Sequence, residues 1–375
     1  MSKVIMIGCD LHQRSMVLQY CVGTGAPQLE TFLNNEAGQR KMLTFIRKLA
    51  EKHAAERIVF AYEASSLGFG LCDLLHEQGV EAHVLSPTRM PKSAKQRKQK
   101  TDSKDALMIL ELVRGHVLAG NSLPVVWTPP QRLRDDRELV RARIETAESL
   151  TAVKLKILSM FKRRGATVPE WYRSQWSHRF LLWLRKQAKD MDPHVRPVLE
   201  CLIDRYAALV KQEAKLHKAL KVLAKTDRYK QPFAEVQQLY GVGLLTALTF
   251  LTEMGDLARF RNRREIAAYL GLCPSSSESG EASDRKGHIT RQGPSRVRKL
   301  LCQAAWTAIH YCPETRAAYE RMHANKTNRR KKAVVGIMRQ LAIKMWHRAL
   351  ECGVSPELQG RGGPHALINQ EAHAA

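Results

Sequence analysis

The sequence predicts an α/β domain followed by two mostly helical regions. Three observations carry this: apolar β-rich runs alternate with helix-period segments up to about residue 125, a proline-rich break follows, and helical periodicity then dominates to about residue 352. At 375 residues the chain is long for a single core. The reading divides it into 1–125, 126–230 and 231–352, with a Gly-rich tail over 353–375 that is expected to be mobile.

The elements follow in order. "KVIMIGCDL" (3–11) is a compact apolar strand, and "SMVLQYCV" (15–22) returns from it after a polar turn as a hairpin partner. Residues 36–55 set Met42, Leu43, Ile46 and Leu49 at helical spacing. "RIVFAYEA" is the next buried strand, "GFGLCDLLHEQG" a helix and "EAHVLSP" a further strand, which together predict a mixed sheet layered with helices. The prolines of "SLPVVWTPPQ" (122–131) end that pattern. Residues 132–228 then read as almost entirely helical. Within them Leu202, Tyr206, Leu209, Glu213, Leu216, Leu220 and Leu223 recur in steps of four and three, a heptad seam with Glu213 its one polar member. Such a seam serves equally as an antiparallel hairpin within one chain or as a coiled coil between subunits. From 231, "FAEVQQLYGVGLLTALTFLTEMG" reads as helix, Gly-Val-Gly turn, helix. A loop over 273–295 follows, and helices resume to about 352.

Charge narrows the function. Sixty-one Lys and Arg against 36 Asp and Glu give a formal charge of +25, which repels itself in a folded chain and points to a polyanionic partner, DNA or RNA. With 44% hydrophobic residues the chain is no disordered basic tail. The eight cysteines are scattered without a Cys-x-x-Cys pair, against a zinc ribbon or a secreted disulfide framework. The N-terminal apolar run meets Asp10 too early for a signal peptide, and no stretch has the apolar length of a membrane span. The expected compartment is the cytoplasm.

Four carboxylates carry the chemistry. Asp10 closes the first strand, Glu63 closes "RIVFAYE", and Asp102 and Asp105 in "KTDSKDA" lie one helical turn apart. Strand-end acids in such a sheet can converge, and four of them hold two Mg²⁺ ions through oxygen ligation for phosphoryl transfer. A plainer reading of Asp102 and Asp105 is a capping box, with Asp102 as N-cap and Asp105 at the third position. The order of acids resembles a RuvC-like, RNase H-fold nuclease centre. Before them stands the basic run 89–100, whose Lys95, Arg97, Lys98 and Lys100 suit phosphate contacts without base reading.

A second constellation is "YLGLCPSSSESGEASDRKGHITRQGPSRVRKLL" (269–301), where glycines alternate with Arg285, Lys286, Arg291, Arg296, Arg298 and Lys299. Upstream, Gly241 and Gly243 of the Gly-Val-Gly turn can offer backbone N–H groups to a phosphate, or can simply turn the chain between helices.

Nearly the whole chain resembles the insertion-sequence one-ten family of transposases, the Piv-type, bridge-RNA-guided DEDD serine recombinases. The resemblance rests on Asp10, Glu63, Asp102 and Asp105, on "LYGVGLLTALTFLTEMGDLARFRNRREIAAYLGLCP", on "SG…GHITRQG…VRKLL", and on "NRRKKAVVGIMRQLAIKMW". It implies a RuvC-like domain binding Mg²⁺ through the four acids and a C-terminal domain supplying a serine nucleophile. In the P-x₄-S-G stretch that serine is Ser279, before Gly280. Two departures stand out: Ser275, Ser276 and Ser277 crowd the same stretch, and Pro294 follows Gly293 where the family more often has asparagine. The resemblance further implies a noncoding bridge RNA that pairs with donor and target DNA. It also implies a tetramer of two dimers joining the acidic domain of one protomer to the serine domain of another. Two other classes fit the residues alone: a RuvC-like nuclease that uses water, and a non-enzymatic nucleic-acid scaffold.

Overall fold

The computed structural model describes residues 3–90, 101–169, 172, 176–276 and 286–362. Contacts divide the chain into two compact units, Met1–Pro129 with Gly360–Ala375, and Pro130–Gln359.

The first unit is built on five strands: β1 (Lys3–Leu11), β2 (Ser15–Val22), β3 (Gln28–Leu33), β4 (Ala55–Glu63) and β5 (Glu81–Leu85). Their order is β3-β2-β1-β4-β5, with β1–β2 and β2–β3 antiparallel and β1–β4 and β4–β5 parallel. Three antiparallel strands continued by two parallel ones is the RNase H-type, RuvC-like arrangement. β1 lies at its centre, so both of its faces are covered and its sequence is a continuous apolar run. Ile5, Ile7, Cys9 and Leu11 face one way, into a core with Met42 and Ile46 of α1 (Glu36–His53) and Leu71, Cys72 and Leu75 of α2 (Gly70–Glu77). Met6 faces the other way, with Val59 and Ala61, onto Ile109, Leu110 and Val113 of α3 (Asp102–Ala119). Each fully buried side chain of this kind contributes about 1.5–3 kcal/mol relative to exposure.

Local chemistry fixes the ends. Asn35 caps α1 by accepting from the Gly38 amide at 2.8 Å, and Ala54, left-handed at φ 50°, turns the chain into β4. β3 is an addition to the sequence reading, which had only a two-stranded hairpin here. It is an edge strand with every residue but Phe32 exposed, so it carries no buried period. The chain returns to this unit at its far end, where Thr128 and Arg361 exchange backbone hydrogen bonds of 2.7 and 2.9 Å.

In the second unit α4 (Gln131–Arg163), α5 (His178–Lys189) and α6 (Arg196–Leu223) share a core of Leu150, Val153, Ile157 and Phe161 with Phe180 and Leu184 and with Leu199, Ile203 and Tyr206. The region 132–228, expected to be almost entirely helical, is mainly three helices with breaks after 163 and after 189. The heptad seam is occupied within the chain: Leu202 and Leu209 pack against this same core, and Glu213 meets Arg143 of α4 at 2.6 Å.

The remaining elements are α7 (Asp227–Gln237), α8 (Leu244–Met254), α9 (Arg263–Tyr269), the short strands β6 (Pro274–Ser276) and β7 (Lys286–Ile289), α10 (Ser295–Tyr311), α11 (Pro313–His323) and α12 (Arg330–Glu351). Buried charge ties α4 to them. Arg228 of α7 grips Asp136 through two bonds of 2.8 Å, Tyr229 adds a third at 2.9 Å, and Arg141 grips Glu253 of α8 at 2.8 and 2.9 Å. Residues on either side of position 230 therefore belong to one compact unit. Among the described residues no helix is long and apolar enough to cross a membrane.

Candidate active site

Asp10 follows Met6 and Gly8 on the α3 side of β1. Cys9 is in register with Tyr62, the last pair between β1 and β4. Asp10 and Glu63 therefore stand side by side just beyond that pair, and Glu63 shares its face with Val59 and Ala61. Both are half-buried. Parallel pairing thus delivers two acids to one end of the sheet.

The other two arrive on α3. This helix rides directly on the β1 backbone at Gly8, where a Cβ would lie 2.2 Å from the Leu110 amide nitrogen and 2.5 Å from the Ala106 carbonyl oxygen. Only a residue without a side chain permits that approach. A second tie joins the buried Gln19 of β2, which donates to Ser103 Oγ at 3.1 Å. Together they seat the first turn of α3, with Asp102 and Asp105, over the end of β1. The capping box is not what forms. Thr101 is the N-cap, its carbonyl accepting from the Lys104 and Asp105 amides, so Asp102 is the first helical residue. Both acids lie at the positive pole of the helix, which suits negative charge.

The structure adds a residue the sequence reading passed over. His12, in the β1–β2 turn, donates from Nε2 to Asp10 Oδ2 at 3.0 Å and lies 3.4 Å from Asp102 Oδ1. The side-chain ligand atoms of Asp10, His12 and Asp102 all fall within 4.8 Å of one another. The His12 backbone is held in turn, by Ser15 at 2.9 Å and by Asn34 Nδ2 at 2.7 Å. The available signal was the spacing, since residues two apart at a strand end share a face.

Electrostatics at Asp10 are those of a crowded anion. Burial pushes its carboxyl above the usual carboxylate range, the charge and hydrogen bond of His12 oppose this, and Asp105 and Asp102 push it further up. Its side chain is 16% exposed against 60% for Asp102. The residues present fit a hard divalent cation: two carboxylates and an imidazole converge, two more acids stand beside them, and the net charge is negative.

The other predicted positions are spread more widely. Lys95, Arg97, Lys98 and Lys100 lie outside the described residues, as do Ser277, Ser279 and Arg285. The backbone pairing of Ser276 with Lys286 joins the ends of the segment that contains Ser279. Arg291 is exposed, with a left-handed φ of 56°. Arg296 reaches Glu145 of α4 at 2.7 Å, and Arg298 donates to the carbonyls of Leu270, Gln292 and Gly293. Gly241 has φ 82°, and a Cβ there would lie 2.3 Å from the Ala304 carbonyl oxygen, so the turn packs on α10; Gly243 is the N-cap of α8.

Comparison with known proteins covers both units. Residues 7–164 match a family model described as a transposase of the DEDD type of IS110, and residues 234–320 match the model of the transposase IS116/IS110/IS902 family. A Sinorhizobium fredii sequence described as a transposase, y4qE, is 32% identical over 273 residues, 73% of this chain and 63% of the relative. The transposase for insertion sequence element IS1533 of Leptospira borgpetersenii is 23% identical over 312 residues, 82% of this chain and 86% of the relative. That for IS1111A of Coxiella burnetii is 27% identical over 236 residues, 62% and 61% respectively. The chain therefore spans less than two thirds of the y4qE and IS1111A relatives. Among solved structures, Thermus thermophilus RuvC aligns with 32% of this chain and 99% of its own at 14% identity, with a TM-score of 0.23.

Proposed function

Because the chain belongs to the IS116/IS110/IS902 transposase family, we propose that it is the DNA transposase of an insertion sequence, cutting and rejoining strands through a phosphoserine intermediate. The observation that carries this reading is the meeting of Asp10 with Asp102 and His12 at the end of β1, with α3 seated on Gly8.

In this reading Asp10, Glu63, Asp102 and Asp105 hold divalent metal, taken as two Mg²⁺ ions. Metal held by these residues would supply Lewis-acid polarisation of a scissile phosphate and charge stabilisation of the leaving oxygen. The rest falls to the chain's own groups. His12 fixes the orientation of Asp10 through its 3.0 Å hydrogen bond. Lys95, Arg97, Lys98 and Lys100, with Arg285, Lys286, Arg291 and Arg296 and the Gly241–Gly243 turn, neutralise and position phosphates. Ser279 Oγ attacks phosphorus as its proton passes to a base, the bond to the bridging oxygen breaks, and that oxygen leaves protonated as a free strand end. The phosphoserine ester keeps the phosphodiester's energy for rejoining, so no nucleotide cofactor is needed. A noncoding bridge RNA selects donor and target DNA, a homotetramer of two dimers assembles on them, and the work is done in the cytoplasm at the nucleoid.

Incubation with RNA, donor and target DNA, followed by a denaturing gel and peptide mapping, tests the reading. A DNA-linked peptide containing Ser279, absent from Ser279→Ala, is the expected result. Free cleaved ends from an unimpaired Ser279→Ala would establish the water-using nuclease instead. Tight binding without cleavage by any form would leave the scaffold.

A further inference from the structure

Two sets of basic side chains in the second unit contrast with one another. Arg137, Arg141, Arg228 and Lys299 each engage a carboxylate or carbonyl of a neighbouring helix. Lys326, Arg329, Arg330, Lys331 and Lys332 do the opposite. They crowd into the positions 326–332, across the 3₁₀ turn Thr327–Arg329 and the first turn of α12. All five are exposed, and among the described residues none of them is in an ion pair. The first turn of α12 contains no acid.

Like charges gathered this closely repel one another, and the positive pole of the helix adds to the repulsion. They do not sit on a loose tail. Ala333, Val334, Ile337 and Met338 follow at once and are buried, so the charges are carried on a packed helix. Five exposed cations within seven residues, on the start of a packed helix whose first turn has no acid, make a surface suited to an anion larger than a side chain.

We propose that residues 326–332 form a docking surface for duplex DNA, held through backbone phosphates. The segment has no aromatic ring on which an unpaired base could stack, which disfavours a single strand. A duplex presents one negative charge per about 1.7 Å of axis, and the cluster supplies positive charge at comparable density. Thr327 and Asn328, exposed between the cations, are residue types that also bond phosphate oxygens. This surface rests on the transposase reading and is separate in sequence from the basic run 89–100 of the first unit.

The test uses the full chain. Arg329→Gln, Arg330→Gln, Lys331→Gln and Lys332→Gln are combined in one variant. The control combines Lys211→Gln, Lys215→Gln, Lys218→Gln and Lys221→Gln, which removes the same charge from exposed positions of α6. Binding of a labelled DNA duplex is followed by fluorescence anisotropy across a salt series, with thermal melting to verify folding. The cluster variant should lose up to about 3.6 from the slope of log K against log salt, at about 0.9 per phosphate contact, and bind at least ~10-fold more weakly at low salt. The control should lose less than about one. If the quadruple variant melts abnormally, Arg330→Gln with Lys332→Gln carries the test, with a loss of about two. An unchanged slope, or equal losses in cluster variant and control, overturns the surface. So does a loss confined to a parallel RNA duplex. Failure of the wild type to bind DNA at all would sink the transposase reading instead, and is told apart by that.

Discussion

Asp10 and Asp136 are both aspartates withdrawn from solvent, one in each unit, and they are treated in opposite ways. Asp136, 7% exposed, receives two bonds from Arg228 and one from Tyr229. Asp10, 16% exposed, has Asp102 and Asp105 for neighbours and, among the described residues, His12 against them. A buried charge that is paired and fully hydrogen-bonded is fastening helices together. One kept among like charges is a strained anion, and a bound cation or a proton relieves the repulsion. The contrast is the one expected between a carboxylate that fastens helices and the metal-holding role proposed for Asp10.

The sharpest way to break the contrast is to remove each charge. Asp10→Asn should abolish DNA cleavage while leaving the fold intact, as read by a strand-cleavage gel beside a melting curve; cleavage at the wild-type rate would remove Asp10 from the chemistry. Asp136→Ala should do the reverse, destabilising the second unit by about 3–5 kcal/mol because Arg228 and the Tyr229 hydroxyl are left buried without their partner. Denaturant unfolding measures that. Gly8→Ala comes next. Its methyl group forces α3 off β1, at a cost of about 1–3 kcal/mol, and displaces Asp102 and Asp105 from Asp10. Mg²⁺ or Mn²⁺ should then raise the melting temperature of the wild type but not that of Gly8→Ala.

The smallest expected effect concerns acid. Glu81 bonds His83 at 3.0 Å and Arg57 at 2.7 Å, and these partners, His83 first, hold its carboxyl down at about 2. Because the folded value lies below the unfolded one, this stabilisation is complete above the ordinary carboxylate range and is lost as pH falls through it toward about 2. Arg57→Gln should flatten the stability of the first unit over that window. An unchanged acid limb would show the pair to be solvent-screened.

How much of this was legible in the sequence follows from burial. β1, β4 and β5 stood out because apolar runs mark covered strands, and α1 because Met42 and Ile46 recur at helical period. β3 did not, because an exposed edge strand leaves no buried period to read. The seam on α6 was visible, but its partner was not: the contacts with α4 and α5 span long separations that one-dimensional periodicity cannot assign. The four acids were recognisable by type and order. His12 was not, since its place depends on how the β1–β2 turn folds back over Asp10. Ser279 was read through resemblance alone and lies outside the described residues.

The backbone exchange between Thr128 and Arg361 has a consequence for biosynthesis. The first unit is written in two instalments, and everything from Pro130 to Gln359 is translated between them. At about 5–20 residues per second, the ribosome takes on the order of tens of seconds to reach Arg361 after Thr128 has emerged. For that interval the nascent sheet exists without its closing segment, Gly360 not yet against Trp127 and the Arg361 charge not yet near His76. Stalling or early termination anywhere in the second unit would therefore release a first unit that had never been completed.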